Sequence, residues 1–206
     1  MHTGTPREVG YPPSILRVRT NLQLVLTTRQ REILIGSILG DGYIYPRGKF
    51  QLEQSDRQKS YLLWKYHELK ELAYPGSPAF VARYDPRTGK TYRSCRFWLR
   101  QYFRPWREIF YRGKMKIFPR DLAFSPLSLA TWYMDDGCWN DGVCIISTES
   151  FSVSSVEHIR RQLRKQFQLD TLRRSNGKLL ICAPQRERFF ALIKPFMHES
   201  MLYKIP

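Results

Sequence analysis

The chain has 206 residues, of which 42% are hydrophobic and 14% aromatic, and this composition is typical of a folded protein and excludes a largely disordered one. Lysine and arginine number 34 against 18 acidic residues, and the formal net charge of +16 indicates a polyanionic partner. The length favours one domain, or two small halves that share a core.

Composition and spacing also bear on location and redox state. The longest apolar run, Ile33 to Leu39, is far shorter than the roughly 20 residues that span a bilayer. Pro12 and Pro13 interrupt the N-terminal region, so no secretory signal is expected, although its acid-poor character leaves an organellar targeting segment open. The cysteines lack Cys-x-x-Cys spacing and the histidines are scattered, which favours reduced thiols without zinc. We expect an intracellular protein of the bacterial cytoplasm, a chloroplast or a mitochondrion, with no secretion and no membrane partner.

Two segments of the chain resemble each other. LIGSILGDGYI, Leu34 to Ile44, and LATWYMDDGCW, Leu129 to Trp139, are both apolar stretches with helical periodicity that close in Asp-Gly. After each segment comes a turn with glycine at the third position, R-T-G-K in the first case and S-N-G-K in the second. These paired features predict an internal duplication.

A lysine follows each turn at the same interval. Lys116 lies 27 residues after Gly89, and Lys204 lies 27 residues after Gly177. Each half reads as a helix, a hairpin, a second helix, another hairpin and a final helical stretch, which predicts a duplicated α+β fold of αββαββα halves. The predicted second helices are Tyr61 to Leu72 and Val156 to Phe167. The predicted divisions are an N-terminal extension (1–26), a first half (27–121), a linker (122–128) and a second half (129–206).

The strands present a basic and aromatic face. From Tyr43 to Glu53, polar and apolar residues alternate, so one face is predicted to be core and the other polar. A solvated sheet face explains one such strand equally well, but the next hairpin repeats the pattern, and a two-stranded ribbon fits the DNA major groove. The candidate DNA-binding residues are Tyr43, Tyr45, Arg47, Lys49, Gln51, Glu53, Arg83, Arg87, Lys90, Tyr92, Ser94, Arg96, Trp139, Asn140, Arg173, Arg174, Ser175, Asn176 and Lys178.

Asp41 and Asp136 stand at predicted helix C-termini, where the helix dipole disfavours a negative charge. One Asp-Gly pair is usually a simple turn. Two such pairs, each ending a helix that carries small residues, indicate close packing about a pseudo-two-fold axis. Such packing would bring both carboxylates and the free terminal carbonyls together as hard oxygen ligands suited to Mg²⁺.

The two segments resemble the motif helices of the LAGLIDADG homing endonucleases, in the form that carries both motifs on one chain. LIGSILGDG and LATWYMDDG fit the motif, F-Q-L-E-Q at Phe50 to Gln54 is similar to a family strand, and the terminal Y-K-I-P is similar to the position of an active-site lysine. The resemblance covers roughly Thr27 to Pro206. It implies two antiparallel sheets that form a saddle over DNA, with the motif helices at the interface and divalent metals beneath them.

The resemblance also implies roles for individual residues. Asp41 and Asp136 would bind the metals, each serving the cleavage of one strand, and Lys116 and Lys204 would orient water or neutralise transition-state charge. Gln54 would be a supporting polar residue. Its apparent counterpart in the second half is Glu149. This departure puts equal cleavage of the two DNA strands in doubt. Gly40 and Asp135 are the other candidate metal residues, with Asp135 favoured as a structural residue or carbonyl donor.

The resulting hypothesis is a monomeric homing endonuclease that cuts both strands of a long asymmetric duplex DNA site using Mg²⁺. Mn²⁺ is expected to substitute, and Ca²⁺ is expected to support binding without efficient cleavage. The alternative is an intron-RNA maturase or a non-catalytic DNA-binding protein on the same fold, with intron RNA as the alternative partner. A generic basic RNA-binding protein is a third hypothesis, which only the net charge favours.

Overall fold

A computed structural model describes residues 12–17, 23–76, 78–123 and 125–206. Much of the acid-poor N-terminal region that leaves an organellar targeting segment open, including Arg7 and Arg19, lies outside these described residues. Within the described ranges, no helix is both long and apolar enough to cross a membrane. The cysteines, all of which are described, carry free thiols, as their spacing predicts.

The first half starts with a short antiparallel pair of strands and then follows the predicted order of elements. The pair lies inside the region predicted as an extension, and the Trp106 indole Nε1–H, which donates to the Pro13 carbonyl at 3.1 Å, ties this region to the first half. The elements are β1 (Ile15–Arg17), β2 (Gln23–Val25), α1 (Thr28–Leu39), β3 (Tyr43–Ile44), β4 (Phe50–Ser55), α2 (Lys59–Leu69), β5 (Ala79–Asp85), β6 (Lys90–Leu99), α3 (Arg104–Phe110), β7 (Tyr111–Arg112) and β8 (Met115–Lys116).

The second half repeats the order from α1 to α3, without counterparts of the strand pairs β1–β2 and β7–β8 among its described residues. Its elements are α4 (Pro126–Asp136), β9 (Gly137–Asn140), β10 (Val143–Ile146), α5 (Val153–Phe167), β11 (Thr171–Arg173), β12 (Leu179–Ile181) and α6 (Arg186–Ile193), followed by a 3-10 segment at Glu199–Lys204. The strand orders are β3-β4-β6-β5 and β9-β10-β12-β11, with antiparallel neighbours throughout. In both sheets the second strands of the two hairpins lie at the centre. The duplicated α+β architecture is therefore confirmed.

Local sequence explains where the two motif helices begin. Thr27 caps α1 through a capping box with Gln30. Ser125 caps α4 in the same way, and Pro126 occupies the first turn, where its missing N–H is no loss. The helix thus begins inside the segment predicted as a linker, 122–128, and the joint between the halves is correspondingly shorter.

The motif helices α1 and α4 pack against each other at glycine. A Cβ atom on Gly36 would lie 2.4 Å from the Ser128 carbonyl oxygen and 2.6 Å from the Thr131 Cβ. Gly36 and Thr131 each stand five residues before their half's Asp-Gly aspartate, so equivalent positions of the two motifs meet. Such self-complementary contact is the signature of a two-fold axis. Buried residues of both halves form one continuous hydrophobic cluster around this pair.

The segment predicted as one alternating strand, Tyr43 to Glu53, is a hairpin. Residues 45–49 form the turn between β3 and β4, where Gly48 has a φ of +86°. The predicted division of faces still holds, because Tyr43 pairs with Gln51 and Ile44 pairs with Phe50 across the hairpin. Ile44, Phe50 and Leu52 are buried on the helix side.

Candidate active site

Asp41 and Asp136 stand at the adjacent C-terminal ends of the motif helices. Helix α1 stops at Leu39 with Gly40 as its cap, which leaves the Asp41 side chain exposed, while Asp136 is the last residue of α4 and is partly exposed. The Asp41 charge raises the pKa of Asp136, so the two carboxylates are within electrostatic reach of each other. The structure thus brings together the two aspartates that the repeat predicts.

Each helix end is capped by the lysine of its own half. The Lys116 ammonium donates to the Gly40 carbonyl, and the Lys204 ammonium donates to the carbonyls of Met134 at 2.6 Å and Asp135 at 3.1 Å. A cation at this position offsets the negative end of the helix dipole. The equal 27-residue spacing therefore corresponds to equivalent places beside the two aspartates.

Burial and the crowding of charges shift the titration of this group. Burial raises the pKa of Asp136 to about 7, with contributions from the charges of Asp41 and Asp135 and opposition from Lys116. Burial lowers the pKa of Lys116 and of Lys204, and the aspartates oppose both changes. A further cation close to Asp136 would favour its ionised form.

Gln54 and Asp135 form a buried network beneath Asp41. The Gln54 Nε2 donates to Asp41 Oδ2 at 2.9 Å and to Asp135 Oδ1 at 3.0 Å. Asp135 also receives the Lys65 ammonium, at 2.7 and 2.9 Å from its two carboxylate oxygens. Burial raises the pKa of Asp135, which Lys65 opposes. The Asp135 side chain is therefore engaged within the protein.

Glu149 does not reproduce the position of Gln54. Its side chain is 44% exposed and forms an ion pair with Lys178 at 3.7 Å, beside the β11–β12 turn. Among the described residues it has no hydrogen bond to Asp136, whereas Gln54 is buried and bonded to Asp41. The two halves thus differ in this supporting position, as the change from glutamine to glutamate suggests.

The first sheet presents an ordered polar face. The Gln51 Oε1 accepts from the Tyr45 hydroxyl at 2.7 Å and from the Trp98 indole at 3.2 Å, and the Gln51 Nε2 donates to Glu53 at 2.7 Å. Ser94 donates to Glu53 at 2.6 Å. The remaining candidates of this half also lie on this face or in its two turns, and they are Tyr43, Arg47, Lys49, Arg83, Arg87, Lys90, Tyr92 and Arg96.

Arginines pair with the acidic residues of this face. Arg83 pairs with Glu53 at 2.9 Å, and Arg96 approaches it at 3.9 Å while its guanidinium lies 4.6 Å from the centre of the Trp98 ring. Arg87 pairs with Asp85 in the β5–β6 turn. The Glu53 carboxylate is thus neutralised, and the face as a whole is suited to a polyanion.

The matching row of the second sheet is apolar. Cys138 pairs with Ile145, Ile145 with Leu180, and Leu180 with Leu172, which is 54% exposed. The row that occupies the same place in the first sheet is Tyr43, Gln51 and Trp98. The polar candidates of this half lie beside the row rather than in it, and they are Asn140, Arg174, Ser175, Asn176 and Lys178.

Strand parity corrects two predictions on this sheet. Trp139 lies on the helix side, where its ring packs edge to face on Phe190 with the ring centres 5.3 Å apart, and not on the face that carries Asn140. Arg173 pairs with the buried Leu179 and shares its helix-facing side at the strand end. Adjacent residues in a strand point to opposite faces, so a shift of one position reverses the assignment.

Lys65 is the site residue that the sequence did not reveal. It lies on α2, a helix predicted for its broad apolar surface, and it is 1% exposed. A lysine on such a helix usually extends its ammonium to solvent. The available signal was the additional carboxylate of the second motif, because Asp135 stands where the first motif has Gly40 and a buried carboxylate needs a partner.

The oxygen donors at the helix ends fit a hard divalent cation. They are the carboxylates of Asp41 and Asp136 and the carbonyls of Gly40 and Asp135, the donor type that Mg²⁺ prefers. Among the described residues, no group of three or more His, Cys, Asp or Glu side chains could hold a metal ion alone. Water or phosphate oxygens would have to complete the coordination.

The fold and the site define a class of protein: a pseudo-symmetric, two-motif chain whose paired helices end in acids beside two antiparallel sheets. The family described as "LAGLIDADG DNA endonuclease family" matches residues 31–187. The chain belongs to this family.

The chain is also similar to individual proteins. The chain is 26% identical to DNA endonuclease I-ChuI of Chlamydomonas applanata, over 87% of this chain and 95% of that protein. It is 27% identical to protein RecA of Mycolicibacterium chitae, over 87% of this chain, and it spans about half (47%) of that protein's length. The homing endonuclease I-WcaI, solved bound to its DNA recognition sequence, superposes with a TM-score of 0.78 and 24% identity, over 89% of this chain and 88% of that one.

Proposed function

We propose that this protein is a monomeric, site-specific homing endonuclease that makes a double-strand break in a long asymmetric duplex DNA target. The observation that carries the proposal is the pair of aspartates, Asp41 and Asp136, at adjacent helix ends, each beside the lysine of its own half. Membership of an endonuclease family and the basic face of the first sheet support it.

The proposed cofactor is Mg²⁺, with Mn²⁺ as a substitute and Ca²⁺ as an ion that supports binding without efficient cleavage. When held by this site, the ion would supply Lewis-acid activation and charge neutralisation at the scissile phosphates. Asp41 and Asp136 would hold it. Their mutual repulsion in a partly buried site is a cost that a dication would offset.

Lys116 and Lys204 would act on the DNA rather than on the metal. Each ammonium lies beside the carbonyl that precedes an acid, so it stands close to where a phosphate would enter. From there each would neutralise the developing phosphate charge or orient an attacking water by donating a hydrogen bond from Nζ. The partial burial that lowers their pKa also strengthens such interactions.

The two sheets would recognise their half-sites through different chemistry. Arg96, Gln51 and Tyr45 offer hydrogen bonds on the first sheet, which suits the donors and acceptors of base edges. The second sheet offers the apolar row Cys138, Ile145, Leu180 and Leu172, which suits thymine methyl groups in the major groove. We therefore expect the two half-sites of the target to differ in the type of contact they make with the protein as well as in base sequence.

The test combines cleavage and binding. A target is first selected by cleavage of a randomised duplex library in Mg²⁺. Asp41→Asn and Asp136→Asn should keep the wild-type affinity for that duplex in Ca²⁺, because they remove charge without changing the DNA-facing sheets. Both should lose at least about 10²-fold in double-strand cleavage of a target plasmid in Mg²⁺.

The control for this experiment is Asp121→Asn, which changes an exposed carboxylate between the halves. It should cut at the wild-type rate. Full cleavage by both site variants would refute the assignment. Splicing of an intron RNA, the alternative activity, stays a prediction that needs its own assay with the same variants.

A further inference from the structure

Lys65 is a fully buried cation that the proposed chemistry leaves without a role. Its side chain is 1% exposed, and its only carboxylate partner among the described residues, Asp135, has a side chain that is 0% exposed. The Lys65 ammonium also lies 4.5 Å from the centre of the Tyr61 ring. Desolvation makes a buried ion pair weak as a source of stability, since apolar residues of similar size often stabilise a fold as well or better. A contribution to stability therefore does not by itself account for the pair.

Two hydrogen-bonded connections link the Lys65–Asp135 pair to Asp41. Asp135 Oδ2 accepts the Asp41 backbone N–H at 3.3 Å, which fixes the chain just after helix α1. Gln54 bridges Asp135 Oδ1 and Asp41 Oδ2 through one amide nitrogen, at 3.0 and 2.9 Å, which fixes the Asp41 carboxylate. Lys65 holds both Asp135 oxygens in place for these contacts. The acid of the first motif is thus positioned by a side chain of the second.

The arrangement has no counterpart for the second acid. The residue that precedes Asp41 is Gly40, which has no side chain with which to reach Asp136. A Cβ atom on Gly40 would lie 2.4 Å from the Asp135 Cβ, so the side chain of Asp135 already fills the space. Only one of the two equivalent positions can carry such a carboxylate.

We propose that Lys65 and Asp135 are positioning residues for Asp41, and that they govern the cleavage of one strand more than the other. The inference rests on the proposed endonuclease function, in which each acid serves one strand. It deepens that function by assigning the unequal support of the two acids to a specific ion pair. A misplacement of about 1 Å at a reacting group can cost up to about 10² in rate, so loss of the pair should be visible in one strand.

The test removes both charges at once, because a single substitution would leave an unpaired charge in the core. Lys65→Met/Asp135→Leu removes the pair, the acceptor of the Asp41 N–H and the Asp135 contact that helps to hold Gln54. Lys65→Met/Asp135→Asn keeps an amide oxygen that can still accept the Asp41 N–H. The matched control is Ser37→Ala, which changes a buried side chain of α1 whose hydroxyl has no partner within the described residues.

Strand-resolved nicking is measured on the library-selected duplex, with a different end label on each strand. The Leu double variant should change the ratio of the two strand rates by about tenfold or more, the Asn double variant should change it less, and Ser37→Ala should leave it unchanged. Urea unfolding confirms that each variant is folded. Equal slowing of both strands by the Leu variant would overturn the proposal.

A second readout does not depend on turnover. Mn²⁺ is titrated into each protein–duplex complex, and free Mn²⁺ is followed by electron paramagnetic resonance. The Leu double variant should weaken one Mn²⁺ site and leave the other as in wild type. Unchanged binding at both sites would count against positioning of Asp41. Failure of the wild-type protein to cut any selected duplex would instead refute the proposed function.

Discussion

Asp136 is a carboxyl group that folding places in an unfavourable position. It is partly buried at a helix C-terminus, near the charges of Asp41 and Asp135, and its pKa rises to about 7. The folded protein therefore binds this proton more tightly than the unfolded chain does. It follows that the contribution of Asp136 to the free energy of unfolding of the metal-free protein falls as the pH rises from about 4 to about 7, because the carboxyl group ionises first in the unfolded chain.

Asp136→Asn removes this penalty. In EDTA at pH 7.5 the variant should be more stable than wild type, by at most about 4 kcal/mol at roughly 1.4 kcal/mol per pKa unit. The advantage should shrink as the pH is lowered toward 4, where the wild-type carboxyl group is protonated in the folded state. Urea unfolding across this range measures it, with Asp121→Asn as the exposed control. A less stable Asn variant at pH 7.5 would mean that attraction to Lys116 outweighs burial.

Individual site residues could be predicted from the sequence where both halves carry the same residue at matching positions. Asp41 and Asp136, and likewise Lys116 and Lys204, occupy equivalent places because each pair stands at a matching position in its own half. Lys65 has no such repeat. Its partner Asp135 lies 70 residues away in the chain. Only the packing of α2 against α4 explains why a lysine is buried at this position.

The elements that differ most between the halves are the two sheets. Their strand order is the same, but one exposes arginine, glutamine and tyrosine where the other exposes aliphatic side chains. The presence of strands followed from alternation in the sequence. The face on which Trp139 lies could not be predicted in this way. It depends on the register of β9 with β10, and the sequence does not show at which residues that pairing begins.

The apolar row predicts sensitivity to thymine methyl groups in one half-site only. In the selected target, uracil replaces thymine in one half-site at a time, which removes methyl groups without changing base pairing. Affinity in Ca²⁺ should fall about fourfold per contacted methyl for the half-site read by β9–β12, at roughly 0.8 kcal/mol per buried carbon. The half-site read by β3–β6 should be little affected. Equal losses in both half-sites would contradict the assignment of the row.

At the scale of the whole molecule, the net charge of +16 is expected to dominate affinity. The logarithm of the binding constant should fall linearly with the logarithm of the salt concentration, with a slope of about −0.9 per neutralised phosphate. Arg47→Gln, in the exposed β3–β4 turn, should make the slope shallower by about one phosphate. Fluorescence anisotropy with a labelled duplex measures both.

Arg29→Gln is the control for the salt experiment. Arg29 lies in the first turn of α1 and is paired with Glu68 on α2, away from the sheet faces, so its loss should leave the slope unchanged. A response that is flat between low and moderate salt would contradict an electrostatic interface.

The contact between Gly40 and Asp135 bears on how the motif helices can associate. In a symmetric homodimer the two positions would carry the same amino acid, and two aspartates there would force Cβ atoms into each other at the distance found for glycine, 2.4 Å. The interface therefore requires two different sequences, which the two halves of one chain supply. An isolated second half should be unable to assemble with itself through this surface.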